Sequence, residues 1–335
     1  MNHGQQSTFE PAAGSGAALI HELSVALYIG SALIFVGVMA LLARAVFGGA
    51  RPVVARRWLI AGGLVFPITT LTVLLVYALA VGNALSSFNT EGPLRFLLDC
   101  ISGSSRALNS PATRDGAMRV EVVAHQWWWE VEYVNAGPDA RRAVLANELR
   151  LPAGRAIEVF LSTDDVIHSF WVPSLAGKVD MIPGRRNRLV LKADTTGVHR
   201  GQCAEYCGGQ HGLMAFHVEI VSEAEFDRWL ALQGTDASRP DDAFLASGYD
   251  TFMRSGCAAC HTVRGTDARG TSGPDLTHVG GRHSLAAGVL DNHVGTMAGW
   301  IAGTQDLKPG SLMPDTRVAS GVESRALAAW LGSLQ

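Results

Sequence analysis

The chain has 335 residues, of which 48% are hydrophobic and 17% charged, and its formal net charge is −3. That balance excludes a nucleic-acid binder held by bulk positive charge, and five cysteines are too few for a disulfide scaffold in a chain this long. The length admits two domains and a little more.

The apolar excess sits near the N-terminus. Leu23 to Ala43 and Trp58 to Val81 contain no charged residue. Each can cross a hydrocarbon core of about 30 Å, which takes about 20 helical residues. A buried helix of a soluble protein rarely runs so far without a polar stripe, and the first run is too long for the apolar region of a signal peptide. We expect a transmembrane hairpin over residues 1–82, with helices near 20–44 and 58–82 and a kink at Pro67. The loop between them carries Arg44, Arg51, Arg56 and Arg57 and no acid. The positive-inside rule puts that loop in the cytoplasm. Both termini then lie outside a bacterial cytoplasmic membrane, and the chain beyond residue 83 is external.

Residues 83–117 read as an irregular linker, with Gly92, Pro93, Gly103 and Pro111 among serines. "LRFLL" at 94–98 could form an interfacial turn, and Cys100 is assigned nothing. From Arg119 onward, "RVEVVAHQWWWEVEYV", "LRLPAGRAIEVFLSTDDVIHSFWVP", "NRLVLKADTTGVHRGQC" and "GLMAFHVEIVS" read as short strands separated by turn signals. That spacing predicts an external β-sandwich or barrel over 118–234.

Within it, "GQCAEYCGGQHGLM" gathers Cys203, Cys207, His211 and Met214. A disulfide would leave the histidine and methionine unexplained. Zinc has little use for a thioether, whereas thiolate, imidazole and methionine together favour copper. A mononuclear blue-copper site uses one cysteine; two, four residues apart, can bridge two metals. A further histidine is needed, and His168, at the end of a predicted strand, is the candidate. "SEAEFDRWLALQG" then reads as a closing helix with Ser222 and Glu225 as a capping box.

After the polar linker "TDASRPDD", residues 235–335 form a third unit, helical at both ends. It opens with "CAACH", Cys257 to His261. C-x-x-C-H is the attachment signature for c-type haem: two thioethers and a proximal histidine. A thioredoxin-like site would need a βαβ setting, and a zinc site would need two more ligands, while no other cysteine lies in this unit. Met313, in "KPGSLMPD", is the expected sixth ligand. Met297 competes but looks helical and buried, and His278, His283 and His293, the candidates for bis-histidine ligation, are expected on the surface. The whole unit resembles the class I cytochromes c, an all-α fold.

The set "AHQWWWEVEY", "VIHSFWVPSLAGKVDMIPG" and "GQCAEYCGGQHGLM" resembles cytochrome c oxidase subunit II of the dinuclear copper A type. The resemblance spans about residues 18–230 and implies a two-helix hairpin followed by a cupredoxin-like sandwich. With the cytochrome c unit fused behind it, the pattern is similar to subunit II of caa-type oxidases. The resemblance implies that Cys203 and Cys207 bridge two coppers, and that His168 and His211 bind one each. Met214 and the Glu205 carbonyl complete the set, with the Glu205 side chain on a magnesium shared with subunit I. Trp127 is implied as the electron-input tryptophan, and Trp128 or Trp129 as core. Asp180, Arg185 and Arg186 lie in a stretch that faces subunit I in that family.

The implied partners are oxidase subunits I and III, membrane lipid, and a cytochrome c or another periplasmic donor such as a bc complex. The implied activity is electron relay to a haem–copper centre in another subunit, with dioxygen reduction and proton pumping there. The fused cytochrome acts as a tethered donor at high local concentration. The electron-input subunit of a copper-containing nitric oxide reductase is the first alternative, and a non-enzymatic membrane electron carrier with no tightly bound partner is the second. Two features depart from the family: no acid lies between Glu22 and Glu91, where many members carry a proton-channel glutamate, and His199 stands where a tyrosine is common.

Overall fold

A computed structural model describes residues 12–49, 54–87, 118–134, 143–316 and 320–335. Most of the 83–117 linker, including Cys100 and the 94–98 turn, lies outside the described residues.

One unit contains the apolar helices. Helix α1 spans Ser15–Phe47. A second helical run starts as α2, Ala55–Ile60, passes through a π-helical turn at Ala61–Val65, and continues as α3, Phe66–Ser87. Both helices extend beyond the apolar windows because flanking polar residues continue the helical bonding. The disturbance expected at Pro67 takes the form of the π turn just before it. A proline ring clashes with the carbonyl four residues back, and the widened turn lies at that carbonyl. Polar residues inside the runs turn inward on their own backbone: Ser24 Oγ donates to Ile20 O at 2.8 Å and Thr69 Oγ1 to Val65 O at 2.8 Å. Leu33, Phe35, Leu59 and Leu71 are exposed, as an apolar solvent would allow.

The other unit holds two hydrophobic cores. The first lies between two five-stranded sheets, ordered β3-β2-β1-β5-β8 and β4-β10-β9-β6-β7. Strands β1 (Arg119–His125) and β2 (Trp128–Val134) form a hairpin turning at Gln126-Trp127, so "WWW" spans a turn and a strand start. Strands β3 (Ala143–Ala146) and β4 (Glu148–Pro152) follow, then β5 (Ile157–Thr163), β6 (His168–Trp171), β7 (Val179–Met181) and β8 (Asn187–Leu191). Strands β9 (Gly197–Cys203) and β10 (Ala215–Val221) close the second sheet. Alternation drives the layering: Val120, Val122 and Ala124 of β1 pair with Tyr133, Val131 and Trp129 of β2 on the core-facing side of one sheet, all buried. Trp129 is fully buried, with edge or tilted contacts to Phe170 and Phe216. The capping box forms as predicted on α4, Glu223–Gln233: the Ser222 side chain accepts from Glu225 N, and the Glu225 side chain accepts from Ser222 N.

The second core is helical. Helix α5 (Ala243–Arg254), capped by Asp242, crosses α8 (Gly321–Ser333). A Cβ on Gly248 would stand 2.1 Å from Ala326 O, so only glycine permits this crossing. Trp330 packs beside it, edge-on to Tyr249 and Phe252. Between these helices lie a β11–β12 hairpin (Ser284–Leu285 and Leu290–Asp291), α6 (Val294–Ala302) and α7 (Thr304–Leu307).

The two lobes of this unit meet through many polar bonds. Ala215 N donates to Ala287 O at 3.0 Å, Arg200 Nη1 to Gly288 O at 3.3 Å, and Ser284 Oγ pairs with His217 Nδ1 at 3.1 Å. Arg264 donates to the carbonyls of Gln233 and Thr235 and meets His278 Nε2 at 3.1 Å. His278, expected at the surface, is therefore buried at the join, where a polar ring can be satisfied by the connecting segment.

Candidate metal and haem sites

Sheet register brings the distant ligand candidates together. Strand β6 begins at His168 and pairs with β9, opposing Phe170 to Cys203. Ala204 N donates to Ser169 O at 3.0 Å, and Cys203 N to Met214 O at 2.9 Å, which closes the loop from Cys203 to Met214 at its base. The side chains converge inside. Cys203 Sγ lies 3.8 Å from His168 Nδ1, 3.2 Å from Glu205 O and 3.7 Å from Cys207 Sγ. Cys207 Sγ lies 3.6 Å from His211 Nδ1 and 3.8 Å from Met214 Sδ. Thus one histidine flanks each thiol, and His168, Cys203 and Cys207 form a tight, fully buried group.

The donor set fits a metal. Two sulfurs bound to a common tetrahedral ion at about 2.3 Å stand about 3.8 Å apart, close to the observed separation. Both cysteines are free thiols here. Cys203 is pulled well below the ordinary thiol range by the hydrogen bond from Cys207, and Cys207 is pushed up because it keeps the shared proton beside a thiolate. Thiolate is the form of cysteine that binds soft metals.

Asp165 supports His168 from behind: its Oδ1 lies 2.8 Å from His168 Nε2, and it also accepts from the backbone N–H of Gln126 and Val166. Burial would lower the His168 pKa, but the bonds to Cys203 and Asp165 outweigh it and raise it. The same contacts hold Asp165 low against its own burial. A carboxylate on the far ring nitrogen fixes tautomer and ring orientation. Sequence reading passed over Asp165; a carboxylate three residues before a candidate ligand was the available signal. The Glu205 side chain is half exposed and meets Lys178 Nζ at 3.4 Å, which also binds Asp180 at 3.0 Å. Arg186 pairs with Glu121 instead. Trp127, at the tip of the β1–β2 hairpin, donates its indole N–H to Cys207 O at 2.9 Å. His199 pairs with Ser174 Oγ through Nδ1 at 2.9 Å.

In the helical lobe, Cys257, Cys260, His261 and Met313 line one cavity of about 400 Å³ with Met297 and Trp300. His261 Nδ1 is bonded to Pro274 O at 2.8 Å, leaving Nε2 as the nitrogen available to a metal. Burial lowers the His261 pKa, which keeps the ring neutral, the ligating form. Met297 is buried in the core on α6, as expected, whereas Met313 sits half-buried in the loop after α7. An apolar cavity bounded by the attachment cysteines, a neutral histidine and methionine suits a haem. His283 pairs with Glu219, and His293 caps α6.

Together these define a class: a chain with a two-helix apolar hairpin whose outer unit carries a soft-metal ligand set and a haem-attachment cavity. Two family models match it: "Cytochrome C oxidase subunit II, periplasmic domain" over residues 137–221 and "Cytochrome c" over residues 245–335. Cytochrome c oxidase subunit 2 of Alkalihalophilus pseudofirmus is 36% identical over 225 residues, covering 67% of this chain and 64% of that protein. The counterpart from Bacillus sp. strain PS3 is 30% identical over 258 residues, covering 74% and 67% respectively. The chain therefore spans just under two thirds of the length of the first relative. A crystal structure of the periplasmic domain of subunit II of a cytochrome oxidase of Bradyrhizobium japonicum aligns over 34% of this chain and 91% of its own, at 31% identity and a TM-score of 0.32. The chain belongs to the cytochrome c oxidase subunit II family, with a cytochrome c domain fused behind the periplasmic domain. Its apolar helices fit a two-pass membrane topology with both outer domains on the non-cytoplasmic face.

Proposed function

We propose that this chain is the electron-input subunit II of a caa-type cytochrome c oxidase. The observation that carries the reading is the convergence of six ligand candidates from β6 and one loop, joined through Trp127 to a haem-type lobe. Domains at 1–82, 118–234 and 235–335, with an 83–117 linker, serve anchorage, a cupredoxin-like copper site and a class I cytochrome c. Cys203 and Cys207 would bridge two coppers, with His168, His211, Met214 and the Glu205 carbonyl as the remaining ligands. Cys257 and Cys260 would hold the haem covalently, with His261 and Met313 on its iron. When bound, these groups supply one-electron carriers between an external cytochrome c or similar donor and a haem–copper centre in subunit I, where dioxygen is reduced and protons are pumped.

The chain's own residues do the rest. Asp165 orients His168, the sandwich core excludes water from the thiols, and Trp127, bonded to Cys207 O, links the lobes by accepting from Lys308 Nζ through its own carbonyl. The Glu205 carboxylate would serve a magnesium at the subunit I interface, in exchange for Lys178. Subunit III and membrane lipid complete the assembly.

The test is turnover by the intact complex isolated through this chain. Cyanide-sensitive dioxygen uptake with reduced cytochrome c, abolished by Cys203→Ser with Cys207→Ser, is expected. Nitric oxide turnover with negligible dioxygen uptake would transfer the subunit to a copper-containing nitric oxide reductase.

A further inference from the structure

The haem-type lobe reaches the Cys203–Met214 loop through one short segment, from α7 to Met313. Lys308 ends α7, and it is 3% exposed. Its Nζ donates to three carbonyls: Trp127 O at 2.7 Å, Leu213 O at 2.8 Å and Ala286 O at 3.1 Å. An ammonium has three N–H donors, so all are used. Two acceptors belong to the β-lobe: Trp127 at its hairpin tip, and Leu213 directly before Met214. The third belongs to the β11–β12 hairpin of the helical lobe.

The acceptors are all neutral carbonyls. Burying an ammonium without a carboxylate costs several kcal/mol against water. Stability alone gives little reason for a lysine at this place. Position gives one. Gln210 Nε2 donates to Pro309 O at 2.8 Å, the next residue along. Gly310, at φ +82°, lies against the Trp127 ring; a Cβ there would sit 3.5 Å from Trp127 Cη2. The segment that ends at Met313 is therefore seated on Trp127, whose indole is bonded to Cys207 O. Rim contacts such as His283 with Glu219 are partly exposed and weakened by salt; Lys308 is not.

We infer that Lys308 is a positioning residue: its ammonium latches the Met313 segment onto Trp127 and the Cys203–Met214 loop, so electrons cross between the lobes in a docked state. The inference rests on the relay reading above. The step it would serve is passage of one electron from a haem held by Cys257, Cys260, His261 and Met313 to copper held by His168 and the Cys203–Met214 loop, with no bond formed or broken and no proton moved.

The experiment is photochemical injection of one electron into the haem of the detergent-solubilised holo-complex, with haem reoxidation and copper reduction followed by absorbance. In the wild type the interlobe rate is expected to be insensitive to glycerol viscosity and to salt. In Lys308→Met, which keeps the side-chain volume, the rate is expected to fall about tenfold or more, as misplacing reacting partners does, and to become viscosity-dependent. Both reduction potentials and the haem ligation spectrum should stay unchanged, and Lys308→Arg should restore part of the rate. A wild-type rate that falls with viscosity overturns the latch without needing a variant. So does a Lys308→Met rate equal to wild type, or a loss that tracks altered haem ligation. Absence of any haem-to-copper transfer in the wild type would instead sink the relay.

Discussion

The two candidate sites use the same residue types on opposite plans. In the β-lobe, two cysteines, a histidine and a methionine sit on one loop, with a second histidine brought in by β6. Their donor atoms already lie 3.6–3.8 Å apart in neighbouring pairs. In the helical lobe, Cys257, Cys260 and His261 line a cavity of about 400 Å³ to which Met313 comes from a loop distant in sequence. The first is a closed cluster sized for ions; the second is a container sized for a large planar group. A cluster can be preformed because strands and backbone bonds fix every donor. A container depends on its contents for part of its core. The β-lobe should therefore fold before loading, and the helical lobe should owe more of its stability to what it holds.

The largest expected effect tests that contrast directly. Cys257→Ser with Cys260→Ser should abolish covalent haem, read as loss of haem staining on a denaturing gel, and should melt the helical lobe far below the β-lobe in calorimetry. If both lobes still unfold together at the wild-type temperature, the contrast is wrong. Cys203→Ser should abolish bound copper by metal analysis while leaving the β-lobe folded, since Cys203 is one small residue in a large core. Trp129→Ala removes the centre of that core and should cost about 3–5 kcal/mol in β-lobe stability, measured by urea unfolding, with haem content unchanged.

A smaller change sharpens the β-lobe side. Asp165→Asn keeps shape but removes the charge behind His168, and should weaken copper affinity by about 10–100-fold, read by competition with a chelator. Retained affinity would make Asp165 a turn residue only. The smallest effect concerns the join. His283 is raised by its bond to Glu219, and Glu219 is lowered by the same bond. The pair's contribution is present above the ordinary Glu value of 4.5 and below the ordinary His value of 6.5. It is lost as pH falls through the depressed Glu219 value or rises through the elevated His283 value. Glu148, raised by burial, adds to the loss on rising pH. Amide exchange in 284–291 should be slowest inside that window, and His283→Gln should flatten the profile.

How much of this was legible differs between local and long-range features. The apolar helices, the capping box at Ser222 and the C-x-x-C-H stretch are local patterns, and each appears in the structure as an element or a constellation. His168 could be named because a strand end and a late loop are a familiar meeting point in a sandwich, and the β6–β9 register does bring it to Cys203. Strands β3 and β7 went unread, being three or four residues long with little alternation. The burial of His278 and Lys308 was invisible for another reason. Both are polar residues satisfied by carbonyls distant in sequence, and nothing in their neighbours announces that. Asp165 fell between the cases: close to His168 in sequence, but meaningful only once its carboxylate is seen against the ring.

The cavity of the helical lobe is walled partly by Gln126, Trp127 and Asn147 of the β-lobe. In sequence the chain reads as separable modules strung on linkers, but in space one module's pocket is finished by the other. The C-terminal lobe cannot be excised, swapped for a homologue or shuffled onto another anchor without opening a side of its own chamber. A fusion of this kind has become a shared building, and its parts are no longer interchangeable.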